Sequence, residues 1–331
     1  MEVCGTHTHA IRRHGIRQLL PSNIRLVSGP GCPVCVTAEE DISLALALAK
    51  QENVTMFCYG DMLRVPAGSE SLLSLSSRGA DVRIALSPLD ALAFAMEHPA
   101  REVVWYGVGF ETTTPHTAAL LESVQREHIK NLSIFSAHKT MPNALRALLE
   151  GDTHVQALLC PGHVASITGA EAFRFLPEEL HLPAVIAGFE PEELLLAILA
   201  LLNMQKSNTP SLVNAYPRVV KGENETARKL VKAWFMPCDA SWRGLGMIPQ
   251  SGLKLKPEHA AYDALLRLRP TPCAIVSHSA CRCGDVLRGN IDPAECPLFG
   301  KACLPQHPLG ACMVSSEGAC AAYYQYEGVG L

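Results

Sequence analysis

Short runs of β-branched residues alternate along the first two thirds of the chain with longer segments whose apolar residues recur at helical spacing. Apolar residues at every third or fourth position are typical of amphipathic helices, and short continuous apolar runs are typical of buried strands. Their alternation predicts an α/β fold, in which crossover helices join the strands of a parallel sheet. The predicted strands are 24–28, 54–59, 82–86, 103–107, 132–136, 155–159 and 184–187, and the predicted helices are 37–51, 89–97, 115–127, 142–150 and 191–204.

Capping residues predict two helix starts in more detail. Thr37 and Glu40 have the spacing of a capping box, in which two side chains satisfy backbone N–H groups at a helix start. Thr114 followed by Pro115 has the order of an N-cap residue and a proline in the first helical position. We therefore expect one helix to begin after Thr37 and another after Thr114.

The character of the chain changes after about residue 205. Asn, Ser, Pro and Gly become frequent, regular periodicity fades, and six of the thirteen cysteines lie in the last fifty-one residues. We predict three consecutive domains: a Rossmann-like lobe over 1–98, a second Rossmann-like lobe over 99–205, and a cysteine-rich iron–sulfur unit over 206–331. A metal centre, more than a sheet, is expected to hold the third unit together.

Nearly all the polar, nucleophilic or ligating groups outside this third unit follow predicted strands. Ligand sites in open α/β sheets form beyond the carboxyl ends of the strands, so this concentration predicts a site between the two lobes. The segments concerned are Ser28–Cys35, Tyr59–Asp61, Gly109–Pro115, Ser136–Lys139 and Cys160–His163.

Composition narrows the class of protein. The formal net charge of the 331 residues is −4, and without a basic stripe the chain is not expected to bind nucleic acid. The most apolar run, 194–204, is too short to cross a bilayer, and the N-terminus lacks the order of a secretory signal. A cytoplasmic location is therefore predicted. There, thirteen unevenly spaced cysteines favour metal ligands or redox thiols, and disulfides in an exported protein are the alternative.

A Cys-x-x-Cys pair, Cys32 and Cys35, enters a helix after a Gly-Pro-Gly turn. The helix terminus favours thiolate, and the close sulfurs can form a disulfide that stores two electrons. Half of a structural zinc knuckle is the alternative, although the chain has no second Cys-x-x-Cys.

Cys4 is followed closely by His7 and His9. A thiolate ligand suits low-valent iron, copper(I) or zinc better than magnesium or calcium, and a nearby imidazole could exchange protons. Solvated loop histidines are the alternative.

Glu111 lies in the segment Gly109–Pro115, which combines hydroxyls and a carboxylate at a helix start. Helix capping explains Thr114 and Pro115 in this segment, but it does not require the carboxylate of Glu111. Hydroxyls beside free helix N–H groups can also hold a small anion. Glu111 is therefore a candidate catalytic residue.

Four C-terminal cysteines are widely spaced, in the pattern C-x14-C-x6-C-x16-C, and prolines lie between them. This spacing favours a [4Fe–4S] cluster, whereas structural zinc sites usually contain closely spaced pairs. Zinc remains the alternative. The four are Cys281, Cys296, Cys303 and Cys320.

Five motifs together resemble the [NiFe]-hydrogenase maturation factor HypD family over essentially the whole chain. The chain differs from the family pattern at its beginning, where Cys4 is almost terminal and family members carry a few dozen further residues. We therefore expect either a start codon further upstream or a shortened first lobe. The motifs are Cys4–His9, Gly29–Cys35, Gly109–Pro115, Pro161–His163 and Met313–Cys320.

The resemblance implies a scaffold that assembles an iron carrying two cyanides and one carbon monoxide. A HypC-like chaperone and a HypE-like cyanide donor would be its partners, and a hydrogenase large-subunit precursor would receive the product. Cys4 would bind this iron together with a cysteine of the chaperone, and His7 would be its neighbour. Cys32 and Cys35 would be the redox-active thiols.

The resemblance also assigns Cys281, Cys296, Cys303 and Cys320 to a [4Fe–4S] cluster, and it leaves Cys283 and Cys312 without a role. A redox-active assembly scaffold is thus expected more than a turnover enzyme. An iron–sulfur-dependent thiol–disulfide oxidoreductase acting on protein partners is the alternative. A zinc-stabilised binding protein is a third possibility.

Overall fold

The computed structural model describes residues 1–150, 153–272 and 280–328. The helices are α1 (Gly5–Arg13), α2 (Ile16–Leu19), α3 (Pro33–Val36), α4 (Glu39–Ala49), α5 (Leu72–Ser76), α6 (Pro88–Glu97), α7 (Thr114–Arg126), α8 (Met141–Leu149), α9 (Gly162–Thr168), α10 (Phe175–Glu178), α11 (Pro191–Ser207), α12 (Glu225–Trp234), α13 (Ala264–Leu268), α14 (Cys283–Leu287), α15 (Ala311–Val314) and α16 (Ala319–Tyr326). The strands are β1 (Val54–Cys58), β2 (Asp81–Ile84), β3 (Glu102–Gly109), β4 (Leu132–His138), β5 (Leu158–Pro161), β6 (Ala184–Ala187), β7 (Leu212–Asn214), β8 (Phe235–Trp242) and β9 (Gly246–Leu255). Short 3₁₀ helices cover Gly60–Arg64, Ala170–Phe173, Pro257–Tyr262 and Pro293–Glu295.

The chain forms two compact units, each assembled from separate stretches. Unit 1 comprises Met1–Val36, Met141–Glu225 and the described part of Ala280–Leu331, and unit 2 comprises Thr37–Thr140 and the described part of Thr226–Ser279. This division differs from the predicted consecutive domains 1–98, 99–205 and 206–331. The physical reason is the parallel pairing of β1 with β3, which joins residues on both sides of residue 98 in one sheet.

Unit 2 is built on a four-stranded parallel sheet of order β2-β1-β3-β4. The central strand β1 is buried along its whole length and β3 along nearly all of it, which is why both read as continuous apolar runs in the sequence. The core beside them contains Trp105, Leu120 and Leu132.

The segment after residue 225 corrects one expectation. The sequence predicts that a metal centre holds this part of the chain together, but α12 and the antiparallel hairpin β8–β9 contribute Trp234, Phe235 and Leu255 to the core of unit 2. Strand β9 lies beside β4, where the Thr140 N–H donates to the Ser251 carbonyl at 2.8 Å. Ordinary apolar burial therefore explains this part of the chain.

Unit 1 contains a parallel sheet of order β5-β6-β7, which residues 1–3 and 27–29 extend. Glu2 forms parallel bridges to Ser28 on one side and to Leu159 on the other. The Val3 N–H donates to the Leu159 carbonyl at 3.1 Å, and the Gly29 N–H donates to the Glu2 carbonyl at 2.7 Å. The predicted strand 24–28 is thus a short extended segment at the edge, and residues 1–3 lie inside the sheet.

The α/β class with parallel sheets is therefore confirmed, and the iron–sulfur cluster stays a prediction. Both predicted helix caps are wrong. Helix α4 follows Ala38 without a side-chain cap, and acidic residues in its first turn complement the helix dipole instead. Thr113 is the N-cap of α7, because the hydroxyl and the N–H of Thr114 both donate to the Phe110 carbonyl, which places Thr114 within the first turn.

In the part of the chain that the structure describes, no helix has the length and apolar character needed to span a bilayer.

Candidate metal and thiol site

Four segments of unit 1 end at the same edge of its sheet. Residues 1–3 lead into Cys4, residues 27–29 lead toward Cys32, β5 leads to His163, and β6 leads to Phe189. In the sheet, residues 1–3 lie between residues 27–29 and β5. The chain runs first from residues 1–3 to residues 27–29 on one side, and later returns to β5 on the other side. Such a reversal of strand order opens a crevice at the carboxyl edge. Cys4 lies at that point.

Cys4 is the N-cap residue of α1 and is 7% exposed. The backbone N–H groups of His7 and Thr6 and the Thr6 hydroxyl lower the pKa of its thiol, because they favour the thiolate. Burial is the larger effect and raises the pKa of the Cys4 thiol to about 11. The thiol is therefore protonated at neutral pH, and it must lose this proton when it binds a metal.

His7 is buried three positions after Cys4, and its ring is neutral. Its Nε2 lies 2.9 Å from the Gly188 carbonyl, so Nε2 carries the hydrogen. Its Nδ1 is buried and has no hydrogen-bond partner within the described residues. Burial lowers the pKa of His7 to about 4, despite the nearby carbonyls of Gly188 and Ala187. An unpartnered acceptor nitrogen thus lies beside the Cys4 turn.

Phe189 connects His7 to a second imidazole. Its ring centroid lies 4.8 Å from that of His7 and 3.9 Å from that of His163, which stacks on it. The ring of His163, in the motif Pro161–His163, is therefore separated from the ring of His7 by one aromatic side chain.

Glu317 is a site residue that the sequence reasoning missed. The Thr6 hydroxyl donates to its Oε1 at 2.8 Å. A Cβ atom on Gly5 would lie only 2.4 Å from the Glu317 Cβ, so the two backbones approach closely. Glu317 lies within the motif Met313–Cys320, whose predicted site residue is Cys320. The glycine directly after Cys4 was the available signal for a close approach at this point.

Cys32 and Cys35 are joined by a disulfide, and their Cα atoms are 5.2 Å apart. The Gly31 carbonyl accepts the Gly5 N–H at 3.1 Å, so the loop before the disulfide packs on the backbone at Cys4. The Cys35 sulfur lies 4.0 Å from the carbonyl of Ala311, the residue before Cys312. The disulfide therefore lies next to both the Cys4 turn and the C-terminal cysteine segment.

Several C-terminal cysteines gather around Gly310. The sulfurs of Cys281 and Cys283 are 3.4 Å apart, and a Cβ atom on Gly310 would lie 2.9 and 2.6 Å from them. The Leu309 N–H donates to the sulfur of Cys303 at 3.4 Å. Hydrogen bonds with Cys283 and Cys312 raise the pKa of Cys320 well above its usual value, and burial adds to this shift.

The structure thus brings together three of the four predicted cluster ligands, Cys281, Cys303 and Cys320, with the two cysteines that were left without a role. Cys296 is partly exposed, and its charge acts on Arg282, the residue between Cys281 and Cys283. Thiol donors and backbone N–H groups aimed at sulfur suit an iron–sulfur cluster. Nevertheless, over residues 1–150, 153–272 and 280–328, no set of three or more His, Cys, Asp or Glu side chains is arranged to hold a metal ion. The ligand set stays a prediction.

Ion pairs attach the C-terminal segment to the helix that follows Cys4. The buried Arg12 of α1 pairs with Glu327, and Arg17 pairs with Asp292 at 3.2 Å. The Arg12 guanidinium also lies over the Tyr323 ring, 4.6 Å from its centroid. Helix α16, which carries Cys320, is therefore packed on α1.

Glu111 belongs to unit 2, where it lies in the turn between β3 and α7. Near the end of β4 in unit 2, His138 Nε2 lies 2.9 Å from the Thr117 hydroxyl, and the buried Lys139 pairs with Asp41 at 3.3 Å. The buried His138 Nδ1 has no hydrogen-bond partner among the described residues. A catalytic role for Glu111 stays a prediction.

The raised pKa of Cys4 predicts how its alkylation depends on pH. Iodoacetamide should modify Cys4 slowly at pH 7, and the rate should rise about tenfold per pH unit because only the thiolate reacts. Site-resolved mass spectrometry should find no plateau below a pH of about 11 in the folded protein. In urea the same peptide should reach its plateau near the ordinary thiol value of about 8.5. A plateau near that value in the folded protein would contradict the buried position of Cys4.

A model of the HypD family, described as "Hydrogenase formation hypA family", matches residues 1–327. The chain belongs to the HypD family. It is 44% identical over 329 residues to the hydrogenase maturation factor HypD of Escherichia coli (strain K12), covering 98% of this chain and 88% of that protein. It is also 44% identical over 335 residues to HypD of Azotobacter vinelandii, covering 98% of this chain and 88% of the relative. HypD of Rhizobium leguminosarum bv. viciae is 43% identical over 336 residues, covering 98% and 87%.

Proposed function

We propose that this protein is a hydrogenase maturation factor on which an iron carrying two cyanides and one carbon monoxide is assembled at Cys4. The observation that carries this proposal is the position of Cys4. It is a buried thiol at a helix start and a sheet switch point, with a disulfide-forming pair and an unpartnered histidine nitrogen next to it. Membership of the HypD family supports the same function.

The chemistry of the residues suits this cargo. Cyanide and carbon monoxide are strong-field ligands that favour low-spin ferrous iron, and a soft thiolate can complete its coordination. The N–H groups of Thr6 and His7 would stabilise the Cys4 thiolate once its proton has left. A cysteine of a HypC-like chaperone would supply the second thiolate, and a HypE-like protein would deliver cyanide.

The Cys32–Cys35 pair would supply electrons once its disulfide has been reduced to two thiols. Two electrons and two protons convert the Cys32–Cys35 disulfide into two thiols, and reoxidation returns both electrons. A [4Fe–4S] cluster on Cys281, Cys296, Cys303 and Cys320 would provide a one-electron carrier when bound. The contact between Cys35 and Ala311 supports a short path between the two thiol groups.

The Cys32–Cys35 disulfide is also the observation that favours the alternative, a thiol–disulfide oxidoreductase acting on protein partners. The exposure of the two residues argues against it, since Cys32 is 2% exposed and Cys35 is 0% exposed. A protein disulfide would have to reach these sulfurs before exchange. Buried sulfurs are better suited to electron transfer within the protein than to exchange with a disulfide of another protein.

Anaerobic co-expression with a HypC-like chaperone tests the proposal. We expect the two proteins to purify together as a coloured complex that contains iron and shows infrared bands of metal-bound cyanide and carbon monoxide. The protein should not reduce a generic protein disulfide such as that of insulin at a catalytic rate. A colourless, zinc-containing protein, or rapid insulin reduction without cyanide bands, would contradict the proposal.

A further inference from the structure

His163 is a polar side chain that the proposed function leaves unused. It follows β5 at the same sheet edge as Cys4, and its ring is held flat against Phe189 at 3.9 Å. Phe189 in turn contacts the ring of His7, which follows Cys4 by three positions, with 4.8 Å between the ring centroids. The charge of Glu317 acts on both His163 and Cys4. The imidazole therefore belongs to the surroundings of Cys4.

The side chains of His7, Thr6 and His9 near Cys4 already form hydrogen bonds. The single N–H of neutral His7 points to the Gly188 carbonyl, so its free Nδ1 can only accept. The Thr6 hydroxyl donates to Glu317, and the His9 Nε2 lies 2.9 Å from the Tyr326 hydroxyl. The ring of His163, by contrast, makes no hydrogen bond with any described residue. His163 is exposed, and the partial burial of its ring lowers its pKa, so at neutral pH the ring keeps one N–H and one acceptor nitrogen.

The two kinds of diatomic ligand differ in what they need from the protein. The nitrogen of metal-bound cyanide carries negative charge and accepts hydrogen bonds, whereas the oxygen of bound carbon monoxide accepts them only weakly. A single available donor can therefore distinguish the two ligands, because a site that is built to hydrogen-bond one ligand disfavours an analogue that cannot accept the bond.

Resting on the proposed function, we propose that the imidazole N–H of His163 donates a hydrogen bond to the nitrogen of a cyanide ligand on the iron held at Cys4. The stack on Phe189 fixes the plane of the ring and thus the direction of this bond. His163 is a specificity-determining residue in this account: it favours cyanide over carbon monoxide at one coordination position.

Infrared spectra of the complex with the HypC-like chaperone test this role in two variants. His163→Phe keeps an aromatic ring against Phe189 and removes the donor, and His163→Gln keeps a donor. In His163→Phe we expect one cyanide band to move to lower frequency while the carbonyl band stays in place. His163→Gln should return the cyanide band toward its wild-type position. In deuterium oxide, the wild-type cyanide band should shift, and that shift should be lost in His163→Phe.

The outcomes separate this inference from the proposed function. Loss of all bands in His163→Phe, with normal bands in His163→Gln, would also support a required donor. Unchanged cyanide bands in His163→Phe would overturn the inference, and so would a shift of the carbonyl band alone. Loss of all bands in both variants would also overturn it, because a structural role of His163 would explain that result. Absence of bands in the wild-type complex would instead overturn the proposed function and this inference with it.

Discussion

Replacing Gly31 with alanine is expected to remove iron from the Cys4 site. A Cβ atom on Gly31 would lie 2.2 Å from the backbone nitrogen of Cys4 and 2.4 Å from its Cα atom. These backbone atoms cannot rotate away, so the substitution must displace Cys4 or the loop that packs on it. Overpacking of this kind costs about 1–3 kcal/mol. Since about 1.4 kcal/mol is tenfold in an equilibrium constant, we expect the affinity of the Cys4 site for iron to fall by roughly fivefold to a hundredfold.

Infrared band intensity and the iron content of the purified complex measure this loss. Gly222→Ala is the matched control, because Gly222 also lies in unit 1 and an added Cβ atom would meet nothing within 4 Å. The control should bind iron like the wild type. Wild-type iron content in Gly31→Ala would show that the disulfide loop does not set the position of Cys4.

The second large effect is expected for Gly318→Ala, in the segment that carries the C-terminal cysteines. Gly318 is the N-cap residue of α16, which carries Cys320. A Cβ atom there would lie 2.2 Å from the carbonyl oxygen of Cys312 and 2.8 Å from its carbonyl carbon. The start of α16 would have to move away from Cys312, so a cluster that uses Cys320 should be lost.

Visible absorption after anaerobic purification measures the loss of the cluster in Gly318→Ala. We expect an almost colourless protein whose far-ultraviolet circular dichroism matches that of Gly222→Ala. Full colour in Gly318→Ala would argue against Cys320 as a cluster ligand. A collapse of the circular dichroism would show a global folding defect instead, so the two spectra must be read together.

The sequence predicted local elements of the fold well where apolar runs were continuous. Strand β6 has the predicted bounds, and β3 and β4 extend only a few residues beyond them, because these strands are buried on both faces. The domain boundaries depend on non-local pairing. No local pattern reveals that β1 pairs with β3 or that the hairpin β8–β9 returns to β4.

The same distinction applies to the site. Cys4, His7 and the pair Cys32 and Cys35 were predicted from short motifs, and the structure brings them together in unit 1. Glu317 was missed, because its contact with Thr6 joins residues 311 positions apart. The donor role proposed for His163 depends on which neighbouring groups already form hydrogen bonds. No sequence motif can show this.

The central claim is that Cys4 itself binds the iron, and Cys4→Ala tests it most directly. Infrared spectra of the anaerobic complex with the HypC-like chaperone should lose every cyanide and carbonyl band in this variant, while the visible absorption of the cluster remains. Cys238→Ala, a partly exposed cysteine in unit 2, is the control and should keep all the bands. Cyanide and carbonyl bands at full strength in Cys4→Ala would contradict the account.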